Sequence, residues 1–316
     1  MLERINYRGW QKAYKLSNGH VELIVLADIG PRIIWYGFSG GENELHEVAA
    51  DAGSTGGTQF RLYGGHRLWV SPELESTYYP DNGEAKVEAS TDRICCVADP
   101  ENAAPGNNLQ KEMQVNLAPS GSQVTIVHRI TNRGDRTAHV APWTPTMMHA
   151  GGQAILPFSP RAAMDNDHLQ PVGVLGIWSY TDFSDSRWIL GSDFVQLKQS
   201  SAPTGRFEEQ MSGLYNPAGW GAYFRAGHLF VKRAPVIKGA RYPDFGCNFE
   251  VFTNRDFLEL ETLAPLCQLA PGQVTSHVER WWLFGSVPSG EDEEWIRSSI
   301  RSFVDTQTNV PTVLSS

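Results

Sequence analysis

Apolar and polar residues alternate along Leu109 to Leu117 and again along Gln123 to Thr131, and a period of two belongs to a β-strand with one face buried and the other wet. The same pattern recurs in short runs, among them Val21 to Val25, Arg32 to Phe38, Arg93 to Val97, Thr137 to Met147, Gly221 to Arg225, Leu229 to Arg233, Asn248 to Thr253, Phe257 to Leu263 and Val274 to Phe284. Turn residues separate the runs, as in Ser17-Asn18-Gly19, Asn132-Arg133-Gly134-Asp135 and Ala270-Pro271-Gly272-Gln273, so hairpins are the natural connections. So many antiparallel strands predict an all-β, large two-sheet sandwich. One helix is expected near the end, capped by Ser289 with Glu291, Asp292 and Glu293 in its first turn and Trp295, Ile296, Ser299, Ile300 and Phe303 on one face.

A chain of 316 residues, 41% of them hydrophobic, has ample material for a core. No boundary stands out, and the expectation is a single domain over 1–305 with a frayed tail over 306–316. The net charge of −9 and the scatter of the basic residues exclude a nucleic-acid partner. Met1 to Trp10 carries Glu3, Arg4 and Arg8, and no apolar run has the length of a membrane span, so the expectation is a soluble, cytoplasmic protein with no membrane partner. The four cysteines, Cys95, Cys96, Cys247 and Cys267, have no zinc-site spacing and are expected to be buried thiols.

Two segments carry candidate chemistry. In Phe257 to Leu263, alternation throws Phe257, Glu259 and Glu261 to one side and Leu258, Leu260 and Thr262 to the other. Carboxylates two residues apart on a strand lie roughly 6.5 to 7 Å apart, close enough to share one sugar; a plain solvated face has the same pattern. In Tyr63-Gly64-Gly65-His66-Arg67-Leu68-Trp69 and on to Glu73, the glycines permit close backbone approach, and Arg67, Trp69 and Glu73 are the side chains that hold sugars, by hydroxyl bonding and ring stacking. The same glycines also suit a tight turn, and Trp69 a core. His149 ends a long apolar strand and can serve in acid or base work or as a structural imidazole. Lys232 and Asp244 can complete a charged cleft or pair with each other. The glycine-rich run Gly53 to Thr58 lacks the Lys-Ser/Thr of a phosphate loop, His46-Glu47 lacks the second histidine of a zinc-protease helix, and the remaining histidines are too dispersed to specify a metal. No metal or other cofactor is expected.

Taken in order, Leu16 to Gly19, Asp28 to Ile34, Tyr63-Gly64-Gly65, Leu260-Glu261-Thr262, Pro271-Gly272-Gln273 and Trp281 to Phe284 resemble the galactose mutarotase-like superfamily, the supersandwich proteins that include the aldose 1-epimerases. The resemblance covers most of the chain and is nearest a bacterial branch. It implies Glu261 as the base that takes the anomeric hydroxyl proton and His149 as the acid at the ring oxygen, with Tyr63, His66, Arg67, Trp69, Glu73, Lys232, Asp244 and Glu259 around a small sugar or oligosaccharide. Two departures stand out: Tyr63 occupies the place where that family often has a basic residue, and His149 has altered neighbours. An anomeric isomerase, a glycoside-cleaving enzyme with a second acid opposite Glu261, and a sugar-binding protein without chemistry are the three readings.

Overall fold

The computed structural model describes residues 1–104, 107–308 and 313–314. Two large sheets, of twelve and eleven strands, stack face to face, and every pairing within them is antiparallel. This is the large two-sheet sandwich that the alternation predicts. The twelve-stranded sheet runs from the hairpin Leu2–Tyr7 and Trp10–Ser17 through Val21–Leu26 and Arg32–Phe38 to a centre of His66–Arg67, Ala138–Met148, Leu258–Leu263 and Phe249–Thr253, then out to Gln210–Leu214 and Leu175–Ile177. The centre of the facing sheet is Trp220–Arg225, His228–Arg233, Val274–Phe284 and Val124–Asn132.

The inward sets of the two sheets form the main core, with Leu258 and Leu260 on one side and Val124, Ile126, Phe230, Trp281 and Leu283 on the other, all buried. Each fully buried aliphatic side chain contributes about 1.5–3 kcal/mol relative to exposure. The outward set of the eleven-stranded sheet, Ile155, Ala222, Phe224, Leu229, Val231 and Trp282, is covered by Trp295, Ile296, Ile300 and Val304 of the C-terminal helix. That helix runs from Glu293 to Gln307 with a π-helical stretch at Ile296–Ile300, and its cap is Asp292, whose carboxylate accepts from the Trp295 amide, rather than Ser289. Thr306 and Gln307 belong to it, and buried Thr308 accepts from the Arg233 guanidinium at 2.7 Å. The remainder of the expected tail, 309–316, lies outside the described residues apart from the backbone of Val313 and Leu314. Among the described residues no helix is long and apolar enough to cross a membrane.

Several strands escape the sequence pattern. Met211 to Gly219 reads as a polar connection, yet its first part belongs to a fully buried strand, Gln210–Leu214, because Gln210 and Ser212 find partners inside: the Trp188 indole donates to Gln210, and the Ser212 hydroxyl donates to the Gly176 carbonyl. Gly64 and Gly65 enter a crossing, both with positive φ. A Cβ on Gly64 would lie 2.3 Å from the His46 carbonyl oxygen, and one on Gly65 2.1 Å from that of Ile33. Only glycine lets these backbones meet, and the segment that follows, His66–Arg67, is thereby inserted between Arg32–Phe38 and Ala138–Met148. The four cysteines are free; Cys96 and Cys247 are buried, Cys95 and Cys267 half-buried.

Candidate functional site

Insertion of His66–Arg67 sends its two side chains to opposite faces of the sheet. His66 points inward, into a polar cluster sealed between the sheets. There the Lys232 ammonium meets Glu279 at 2.8 Å, neither side chain exposed, and also donates to the Thr144 carbonyl at 2.7 Å and the Thr146 hydroxyl at 2.8 Å. Thr144, Thr262 and the Trp281 indole donate to the Glu279 carboxylate as well. Burial alone would raise the Glu279 carboxyl, but the adjacent Lys232 ammonium, joined by the nearby imidazoles, holds it well below the usual carboxylate range. Burial pushes Lys232 down.

The imidazoles extend this cluster. The His277 carbonyl can only accept, so His128 donates to it through Nδ1 (3.3 Å), and His128 Nε2 accepts from His66 Nε2 at 2.8 Å. His66 Nδ1 then accepts from the Thr146 hydroxyl at 2.9 Å. Burial lowers all three imidazoles, His128 to about 4 and His277 to about 3. The ligand atoms of His66, His128 and Glu279 lie within 4.8 Å of one another, a donor set that suits a transition metal in type. Each of these imidazole nitrogens is already in a hydrogen bond, however, and the Lys232 ammonium holds the position beside Glu279 that a cation would take. Lys232 therefore pairs with Glu279, not with Asp244, and stands in the interior rather than in a cleft, because it shares an inward face with Phe230.

The other face of the twelve-stranded sheet gathers the acidic and aromatic residues. Glu261 lies opposite Pro145 on one neighbouring strand and opposite Glu250 on the other, while Glu259 lies opposite Met147 and Phe252. Glu250 and Glu261 are each 1% exposed and Glu259 7%. The Trp143 indole donates to Glu261 Oε2 at 2.5 Å, and Trp143 packs against Trp69 and Leu263. The Arg67 guanidinium lies 3.7 Å over the Trp69 ring and donates to Glu259 Oε1 at 3.3 Å. Phe60 and Tyr78 pack edge-on or tilted against Trp69, and Glu73, exposed, accepts from the Tyr78 hydroxyl. Several buried polar atoms of this group have no hydrogen-bond partner: Arg67 Nε and Nη1, and Glu250 Oε1.

The electrostatics follow from burial and crowding. Glu250 and Glu261 are both raised well above the ordinary carboxylate value by burial, compounded for Glu250 by Glu261 and Asp244 and for Glu261 by Glu259. Opposing this at Glu261 are the Trp143 hydrogen bond and the charges of Lys232 and Arg67. The Tyr180 hydroxyl, bonded to the Met211 sulfur, is raised by burial and then by Glu73 and Glu261.

The structure thus brings together Glu261, Glu259, Arg67 and Trp69, with Glu73 and Asp244 close enough to act on their charges. It does not bring in His66 or Lys232, which face inward. Tyr63 lies under the crossing, with its hydroxyl donating to Asn82 at 2.8 Å and Arg32 over its ring. His149 is exposed, one residue past the end of its strand and four beyond Pro145, roughly 13 Å along the strand from the position opposite Glu261. Glu250, Trp143 and Tyr180 are the residues that sequence reasoning missed. Alternation in Phe249–Thr253 would have set Glu250 on the outer face, but which residue it opposes is a matter of register, which local pattern does not contain. A separate cavity opens beside Asp81, Glu101 and Lys111.

No protein-family model and no curated protein matches the sequence. Solved structures do match the fold. The Slr1438 protein of Synechocystis sp. PCC 6803 superposes with a TM-score of 0.58 at 11% identity, covering 90% of this chain and 99% of that one. A galactose mutarotase related enzyme from Lactobacillus acidophilus gives 0.56 at 7% identity over 89% and 100%. A candidate aldose 1-epimerase from Escherichia coli K12 gives 0.55 at 16% identity over 87% and 99%. At such identities the likeness is one of fold, and the fold is that of the galactose mutarotase-like proteins.

Proposed function

We propose that the protein binds a small, uncharged sugar on the outer face of the twelve-stranded sheet and acts at its anomeric centre by general acid–base catalysis, with Glu261 as the base. The observation that carries this reading is the pair of buried guanidinium nitrogens without protein partners, Arg67 Nε and Nη1, on the face that also holds Glu261, Trp69 and Trp143. A buried donor left unpaired costs about 1–3 kcal/mol, and the hydroxyl groups of a sugar supply acceptors for the guanidinium and donors for the carboxyl groups beside it. A carboxylate raised well above its ordinary value by burial and positioned by an indole N–H holds a proton more strongly than an exposed one, as a general base must. The names of the fold neighbours, among them a galactose mutarotase related enzyme, agree with sugar chemistry on this scaffold, by analogy only. The surplus of carboxyl groups over cations around Glu261 disfavours a sugar phosphate.

The test is anomer exchange in D-glucose, D-galactose, D-xylose and L-arabinose, followed by magnetisation transfer between the α and β anomeric protons, for wild type and Glu261→Gln. Exchange above the uncatalysed rate that falls by about 10²–10⁴-fold in the variant supports the reading. Release of nitrophenol from nitrophenyl glycosides, with no anomer exchange, would replace it with glycoside cleavage. Thermal stabilisation by a sugar with neither activity would leave a binding protein.

A further inference from the structure

Glu250 stands directly across the sheet from Glu261, where Cβ atoms are about 4.5–5.5 Å apart and like charges repel. Both side chains are desolvated, so two bare carboxylates there would be strongly unfavourable, and one must hold a proton. The surroundings decide which. Glu261, pushed up by burial and by Glu259, is opposed by the Trp143 indole N–H and by the charges of Lys232 and Arg67. The neighbours that act most on Glu250, namely Glu261, Asp244 and Glu73, all favour its neutral form. Of these, Asp244 sits in a bend in which Asp244 and Phe245 both adopt positive φ. Opposite Glu250 on its other flank is Gly213, where a Cβ would lie 2.7 Å from Glu250 Cγ; the sheet is cut away to seat this side chain.

We infer that Glu250 is the catalytic acid, holding the proton that Glu261 lacks and giving it to the ring oxygen of the sugar, so that the site works with a pair of carboxyl groups instead of a carboxylate and an imidazole. This rests on the sugar reading above. In the forward step Glu261 takes the proton of the anomeric hydroxyl, the bond from C1 to the ring oxygen breaks, and Glu250 protonates that oxygen, leaving an open-chain aldehyde. After rotation about C1–C2 the hydroxyl re-adds to the other face of C1. Its proton returns to Glu250 and that of Glu261 goes to the former carbonyl oxygen, so both groups end as they began.

The experiment compares wild type, Glu250→Gln and His149→Ala in the four-sugar exchange assay. In parallel, the infrared C=O stretch of protonated carboxyl groups is recorded at pH 7 with ¹³C-labelled glutamate, and circular dichroism establishes that each variant is folded. The expected result is a loss of about 10²–10⁴-fold in Glu250→Gln, a change of less than about twofold in His149→Ala, and disappearance of a protonated-carboxyl band in Glu250→Gln alone. A folded Glu250→Gln with wild-type exchange, or one that keeps the band, overturns the assignment of Glu250 and leaves the sugar reading intact. A large loss in His149→Ala instead returns the acid role to the imidazole. Wild type that exchanges none of the sugars overturns catalysis of anomer exchange itself, and with it any acid role for Glu250 in that reaction.

Discussion

Lys232 and Glu279 meet at 2.8 Å between the two sheets, with neither side chain reaching solvent. Removing one member strands the other as an uncompensated charge, so Lys232→Met and Glu279→Gln are each expected to lose roughly 3–5 kcal/mol of folding stability. The double variant Lys232→Met/Glu279→Leu removes both charges together and is expected to lose less than either single change. Denaturant unfolding of the three variants measures this; additive losses would mean that the pair acts as two independent groups.

The opposed pair Glu250 and Glu261 gives stability a pH dependence of known sign. Unfolded, Glu250 ionises above its ordinary value of 4.5; folded, burial and its acidic neighbours hold the proton on it well above that. Above pH 4.5 the native state therefore binds more protons than the unfolded state, and stability falls as pH rises toward the folded value. Glu250→Gln lacks this loss. Its stability relative to wild type is expected to climb with pH from 4.5 upward, at no more than about 1.4 kcal/mol per pH unit. Unfolding curves for both proteins at several pH values between 5 and 8 that stay parallel would refute it.

The indole of Trp143 separates the two carboxyl groups chemically, because only Glu261 receives it. Trp143→Phe keeps a ring against Trp69 and removes the donor. A hydrogen bond to a charged group is worth about 1.5–3 kcal/mol, or about one to two pH units. The carboxyl resonance of Glu261 is expected to titrate that much higher in the variant, and any anomer exchange to need correspondingly higher pH. An unmoved titration would mean that the indole does not stabilise the carboxylate.

How far these features were legible depends on whether they are local. Alternation along Leu109 to Leu117 exposes the sandwich, and Gly64-Gly65 exposes a close backbone crossing, because both are written in consecutive residues. The outward pair Glu259 and Glu261 is legible for the same reason. Lys232 was within reach too: it alternates with Phe230, and along Val274–Phe284 the inward residues His277, Glu279, Trp281 and Leu283 also alternate, so a polar stripe inside the sandwich was there to read. Assigning Lys232 to a cleft followed from its charge and ignored its face. Glu250 was beyond such reading, since its opposition to Glu261 depends on the register between strands, and the inward turn of His66 against the outward turn of Arg67 depends on where a two-residue strand docks.

Gly213 offers a way to move Glu250 without changing it. A Cβ there would lie 2.7 Å from Glu250 Cγ, 2.9 Å from Cys247 Sγ and 3.0 Å from Cys247 Cβ, and neither neighbour can yield easily because both side chains are buried. Gly213→Ala is expected to cost about 1–3 kcal/mol by overpacking and to push Glu250 off its position opposite Glu261. Deleting that Cγ in the double variant Gly213→Ala/Glu250→Ala removes the atom the new methyl group would meet and is expected to recover part of that stability, whereas Glu250→Ala by itself leaves a cavity and is destabilising. Denaturant unfolding of the two single variants and the double reads the coupling directly. A double variant whose loss is the plain sum of the two singles would show that the glycine serves the backbone of Gln210–Leu214 and not the seat of Glu250.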